Sequence, residues 1–169
     1  MTLYFAPLEG VTDAVFRRIH HECFPGVSKY FIPFISPTQN LAFTSRDWAA
    51  IAPENNIGVP TVPQLLAKDA SLFLWAAQAL CDMGYPEVNL NLGCPSGTVT
   101  AKGKGSGMLR DPAKVDAFLD GVFSRAEGPV SVKTRLGVEK PEEFAAILEI
   151  YNRYPISELT IHPRVMRQQ

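Results

Sequence analysis

Long apolar runs are missing from this chain. No stretch approaches the roughly 18 consecutive apolar residues of a membrane-spanning helix, so no membrane partner is expected. The opening Met1-Thr2-Leu3-Tyr4-Phe5-Ala6-Pro7 has no basic segment leading into a long apolar one, which argues against a secretory leader. Cysteine is scarce. Cys23, Cys81 and Cys94 are odd in number and widely spaced, which suits neither a disulfide framework nor a zinc site. No metal is therefore expected, and a reducing cytoplasm is. An excess of one charge is also lacking: 16 basic against 17 acidic residues leave a net charge of −1. The bulk number argues against a dedicated nucleic-acid-binding domain, which is usually basic, although the distribution of charge carries more weight than its sum.

The 169 residues, 46% hydrophobic and 20% charged, suit one globular domain with a substantial core. Extended apolar segments recur at even spacing. Leu3–Ala6, Lys29–Phe34, Thr61–Leu66, Glu87–Leu92, Val130–Thr134 and Glu158–His162 are expected as short strands, rich in β-branched and aromatic residues. Helical patterns lie between them. Thr12 is a candidate cap for a helix through Val15, Phe16 and Ile19 to Cys23. Asp69 caps a stripe of Leu72, Phe73, Ala76, Leu80 and Met83 that Gly84 ends. Asp111-Pro112 opens a helix carrying Val115, Phe118, Leu119 and Val122, and Pro141-Glu142-Glu143 opens one through Tyr151. Trp48 and Ile51 suggest a short helix within 38–56.

Strands alternating with helices imply parallel pairing. An open nucleotide-binding sheet usually places a glycine-rich phosphate turn after its first strand, and Ala6-Pro7-Leu8-Glu9-Gly10 is no such turn. Polar residues sit instead at the ends of several strands, which is the habit of a (β/α)₈ TIM barrel. The fold class is therefore α/β. A closed barrel needs eight strands and about 250 residues. The chain is accordingly expected to be a TIM barrel truncated after about six strands.

Asn89 and Asn91 alternate with apolar residues and so share one face of the fourth strand. Inside a packed barrel two amides require hydrogen-bond partners, which a ligand can supply. Gly93 and Pro95 are expected to fix a rigid turn that holds Cys94 at the barrel mouth. Free cysteines are commonly small buried hydrophobes, and Cys23 and Cys81, each on the apolar side of a predicted helix, fit that description. Cys94 lies in a loop with Lys102, Lys104 and Arg110 and is the candidate reactive thiol. Lys133 and Arg135 share one side of the fifth strand. Like charges facing into a barrel are costly without an anion, unless both lie past the strand end in solvent. His162 and Arg164 repeat the pattern on the sixth strand, and Gln64 adds an amide on the third. The loop from Gly93 to Gly107 carries five glycines without Walker spacing and is expected to be a mobile covering segment. Lys102, Lys104, Arg110, Lys133, Arg135, Arg164 and Arg167 all belong to the inferred carboxyl rim, with Asp111 as the nearby acid. Such a rim attracts a phosphate or a nucleic-acid backbone, the alternative being a solvated charged face.

Taken together, Ala6-Pro7-Leu8-Glu9-Gly10-Val11-Thr12-Asp13, Gln64-Leu65, Asn89-Leu90-Asn91-Leu92-Gly93-Cys94-Pro95, Val132-Lys133-Thr134-Arg135-Leu136-Gly137 and His162-Pro163-Arg164 resemble the tRNA-dihydrouridine synthases over nearly the whole chain. The resemblance implies a flavin-binding TIM barrel followed by a helical domain that grips tRNA. Residues 1–169 would be the FMN-binding barrel without its seventh and eighth strands, the flavin-phosphate loops they carry, or the helical domain. It implies reduction of tRNA uridines to 5,6-dihydrouridine with FMN as cofactor and NADPH as reductant. Pro7, Gln64, Lys133 and His162 look like flavin contacts, with Asn91 near flavin and base, Arg135 near the base, and Cys94 as proton donor. Lys102 and Lys104 enter as RNA contacts on charge alone. Pro163, where many relatives carry glycine, is expected to stiffen the His162 turn. A monomer is expected for a full-length protein, with edge-mediated association and weak or no activity for the chain by itself. The rivals are another FMN barrel of the dihydroorotate dehydrogenase type, disfavoured by Thr134-Arg135-Leu136-Gly137 and Pro163-Arg164, and a non-catalytic remnant serving as an interaction module.

Overall fold

A computed structural model describes residues 1–168. The strands are β1 (Leu3–Phe5), β2 (Val27–Ile35), β3 (Thr61–Leu65), β4 (Val88–Leu92), β5 (Val130–Arg135) and β6 (Leu159–His162). The helices are α1 (Ala14–Cys23), α2 (Ser45–Ile51), α3 (Ala70–Asp82), the single turn α4 (Gly97–Thr100), α5 (Pro112–Phe123) and α6 (Phe144–Tyr151). Every neighbouring pair of strands is parallel, in the order β1-β2-β3-β4-β5-β6. Strands and helices alternate, and the sheet curls into a half-barrel, the expected truncated TIM-barrel architecture. Among the described residues no helix is long and apolar enough to cross a membrane.

Alternation along the strands builds the core. Val88, Leu90 and Leu92 of β4 and Val130 and Val132 of β5 face outward and pack with helix residues Phe73, Ala76 and Leu80 of α3 and Val115, Leu119 and Val122 of α5. The opposite face of the same strands carries Asn89, Asn91, Ser131, Lys133 and Arg135. Asp69 and Asp111 cap α3 and α5 with their side chains, as the sequence suggests. Within 38–56, Thr44 and Asp47 form a reciprocal capping box that starts α2.

Three local expectations are overturned. The cap of α1 is Asp13, whose carboxylate accepts from the Phe16 N–H. Thr12 instead closes the preceding turn against Leu8. Helix α1 does not bury its apolar residues: Val15 and Ile19 are exposed, and its fully buried side chain is Arg17. Cys23 and Cys81 are exposed rather than small core residues. Cys81 falls beside the stripe of α3 that meets the sheet, and Cys23 ends an α1 packed on one side only.

Arg17 explains how α1 and the α2 region are joined. Its guanidinium donates to the Thr12 carbonyl at 2.8 Å, the Ala50 carbonyl at 3.0 Å and Asn56 Oδ1 at 2.7 Å. Burial pulls its pKa down to about 10, and it still carries its charge at neutral pH. Replacing Arg17 with Met strands those acceptors. It is expected to lower the unfolding free energy by about 2–4 kcal/mol, measured by urea denaturation.

Candidate active site

The carboxyl ends of β3, β4, β5 and β6 bring the predicted site residues to one end of the sheet, and the strand register shows how they are stepped. Gln64 is level with Asn89, Asn91 with Lys133, and Arg135 with His162. Thr160, not His162, is the register partner of Lys133. The site therefore climbs from β3 toward β6, as the stagger of a barrel requires. Pro7, half-buried, lies in the turn after β1.

Asn91 makes the Cys94 turn. Its Oδ1 accepts from the backbone N–H of Gly93 at 3.0 Å and of Cys94 at 2.8 Å, so two donors at the strand end are satisfied by one amide. The Gly93 carbonyl accepts from Arg135 Nε at 2.9 Å. The Cys94 carbonyl accepts from both the N–H and the hydroxyl of the fully buried Ser106, at 3.0 and 2.9 Å. The thiol residue is half-buried on this clamped turn. The inward amides need no ligand to satisfy them: Asn91 Nδ2 donates to Gln64 Oε1, and Gln64 Nε2 to Asn89 Oδ1, both at 2.7 Å. That corrects the expectation that a ligand completes Asn89 and Asn91. Gln64 is wholly buried, while Asn91 retains 8% exposure.

The expected mobile glycine loop is a packed element. Residues 97–110 form α4 and a 3₁₀ segment, Gly105–Arg110, in which Gly105 through Leu109 are buried. Gly105 has φ +56, and a Cβ there would stand 2.7 Å from the Cys94 carbonyl oxygen. The glycine serves close packing against the thiol turn rather than motion.

Positive charge gathers around this turn. Burial, and then neighbouring Arg135, hold the Lys133 ammonium below its ordinary value. His162 is lowered by burial and by Arg135, Lys133 and Arg164. Arg135 is 6% exposed and gives Nη1 to the carbonyls of Val165 and Gln168, which ties the segment after β6 to β5. It is neither solvated nor free, so the open choice between solvent and an inward charge resolves inward for this residue. Among the described residues, no carboxylate lies within ion-pair distance of Lys133, Arg135, His162 or Arg164. Half-buried cations without an internal anion fit an anionic group.

The family model described as dihydrouridine synthase (Dus) matches residues 4–169. The chain belongs to this family. It is 35% identical to a probable tRNA-dihydrouridine synthase 1 of Synechocystis sp., an alignment covering 96% of this chain and 45% of the relative. It is 31% identical to a probable tRNA-dihydrouridine synthase of Staphylococcus epidermidis, over 96% of this chain and 50% of the relative. It is 30% identical to tRNA-dihydrouridine synthase B of Pasteurella multocida, over 96% and 48%. The chain spans about half the length of the curated relatives it matches. Family membership decides between the two flavin-barrel resemblances in favour of the dihydrouridine synthases.

Within this family member, several site residues escaped sequence reasoning. Ser106 looked like part of a flexible glycine run, and only the folded segment shows it gripping Cys94. Lys68 follows β3 and lines a groove of about 590 Å³ together with Lys102, Arg110, Asp111 and Lys114. Its position in sequence, far from the other cations, gave no signal. Lys104 is half-buried and donates to Ser36 at 2.6 Å, with burial and then Lys102 and Lys68 lowering its pKa. Arg167 pairs with Glu139 at 2.6 Å, so Asp111 is not the one acid on the rim.

The crowding at His162 has a pH signature. The folded chain resists protonating this imidazole and the unfolded chain does not. As pH falls through the ordinary imidazole value of about 6.5, the unfolded state therefore takes up more protons, and stability falls; above that value His162 adds no such penalty. An NMR titration is expected to place the His162 midpoint below that of free imidazole. A midpoint at or above it would contradict the cationic environment.

Proposed function

We propose that this chain supplies the thiol-bearing side of a flavin-dependent enzyme that reduces uridine in tRNA to 5,6-dihydrouridine. The observation that carries the reading is the Cys94 turn, held through its backbone by Asn91, Arg135 and Ser106 and set beside the Arg135 guanidinium. FMN, held by Lys133 and His162 and reduced by NADPH, would supply hydride chemistry for C6 of the uracil. Cys94 gives its proton to C5, so that hydride and proton together saturate the C5–C6 bond, and solvent returns the proton to the thiolate. A reducing cytoplasm keeps Cys94 in the thiol form this step requires.

Lys133 and His162 offer donors to the cofactor, and Pro7 an apolar edge. Gln64, wholly buried, serves the flavin side of the site from beneath Asn91 by fixing that amide. Arg135 Nη2 has no protein partner among the described residues and is available to the substrate base. Lys102 and Lys104, with Lys68 beside them, meet RNA phosphates, whose charge compensates the crowding of ammonium groups. The target nucleotide leaves its stack to reach the thiol.

In a full-length protein carrying this chain, replacing Cys94 with Ala is expected to lower dihydrouridine formation in tRNA by about 100-fold or more. FMN stays bound at parental stoichiometry, read from flavin absorbance. Parental turnover in that variant would remove the thiol from the mechanism.

A further inference from the structure

The hydrogen bonds beneath Cys94 continue to the far end of the barrel. Asn89 Nδ2 donates to Ser131 Oγ at 2.8 Å, and Ser131 Oγ donates to Glu87 Oε1 at 2.5 Å. Lys29 holds the other oxygen of Glu87 at 2.6 Å, and the Glu87 side chain is 12% exposed. An unbroken chain thus runs from Glu87 through Ser131, Asn89, Gln64 and Asn91 to the N–H groups of Gly93 and Cys94. It spans on the order of 20 Å along β4.

The polarity of this chain is forced from both ends. A carboxylate only accepts, so Ser131 must donate to Glu87, and its oxygen is left to accept from Asn89. The Asn89 carbonyl then faces Gln64 and accepts from its amide nitrogen, which leaves Gln64 Oε1 to accept from Asn91. Asn91 consequently presents its carbonyl oxygen, not its NH₂, to the thiol turn. The backbone N–H groups at that end only donate and demand the same order. Each amide alone could sit either way round; the chain permits one arrangement.

We propose that Ser131 and Asn89 are positioning residues for Cys94, transmitting a polarity imposed at Glu87 that keeps Asn91 aimed at the turn. The inference rests on the reading of Cys94 as the proton donor, and it assigns work to residues that touch neither substrate nor cofactor. Ser131 lies on the neighbouring strand, and loss of its hydroxyl strands the Asn89 NH₂, so that Asn89, Gln64 and Asn91 loosen in sequence. A loosened Asn91 keeps its oxygen toward the turn but holds the two N–H groups less firmly.

The test reads the turn directly, in the chain without cofactor or RNA. Iodoacetamide alkylation of Cys94 is followed by peptide mass spectrometry at a fixed pH, with exposed Cys81 as internal reference. Ser131→Ala is expected to raise the Cys94 rate about fivefold while Cys81 is unchanged. Adding Asn89→Asp is expected to return Cys94 to within about twofold of the parent, since the carboxyl group offers Gln64 an acceptor without help from Ser131. A loss of packing at Ser131 would not be restored by exchanging nitrogen for oxygen at residue 89. A parental Cys94 rate in Ser131→Ala, or a double variant as fast as the single, would overturn the proposal. Should Ser131→Ala not fold, Ser131→Cys keeps the volume while exchanging the hydroxyl for a weak donor and acceptor, and it carries the same two outcomes. Because no turnover is involved, an active Cys94→Ala enzyme would sink the chemistry and leave this result standing, and the converse also holds.

Discussion

A polar side chain sealed inside a parallel barrel must find its partner in the same interior, because water is excluded and the strand backbones are already paired. Here Gln64, Asn89 and Asn91 meet that requirement in one another, and the last of them spends its remaining oxygen on the backbone of the thiol turn. Satisfying the interior and shaping the mouth are therefore one constraint. Disturbing the column reaches Cys94 without passing through the hydrophobic core, which lies on the other face of the same strands.

The two ends of the barrel handle charge in opposite ways. At the amino end Lys29 is shared between Glu87 and Glu158, at 2.6 and 3.2 Å, and its ammonium lies 5.1 Å above the Tyr4 ring. That end is closed electrically by the protein's own groups. At the carboxyl end Lys133, His162 and Arg164 crowd together without an ion-paired carboxylate among the described residues, and Lys133 and Arg164, after burial and Arg135, hold down the protonation of His162. Barrels commonly keep stability at one end and ligand chemistry at the other, and the charge pattern reproduces that division. A groove lined by Lys68, Lys102, Arg110 and Lys114, with Asp111 among them, adds further positive surface.

Rigidity at the thiol comes from a segment whose composition suggests the reverse. Five glycines between Gly93 and Gly107 read as a flexible loop, yet two of them are small because the chain passes close to other backbone. A Cβ at Gly105 would press on Cys94, and one at Gly107 would stand 2.7 Å from both Cα and O of Thr100. Glycine marks either freedom or proximity, and nothing in a local sequence separates the two.

What the sequence alone determined was the alternation. Six strands, the helices between them and the assignment of polar residues to strand ends follow from local periodicity and capping, which depend on neighbours a few residues away. The resemblance carried by Asn89 to Pro95, Lys133 to Gly137 and His162 to Arg164 was likewise legible, since those motifs are contiguous. Only the tertiary structure decided who satisfies whom. Ser131 gripping Glu87, Arg135 bracing Gly93, Ser106 holding Cys94, and Arg17 buried where apolar residues were expected all join positions separated by many residues. Strand register and the curl of the sheet set those meetings, and both arise from the packing of the whole sheet rather than from any one segment.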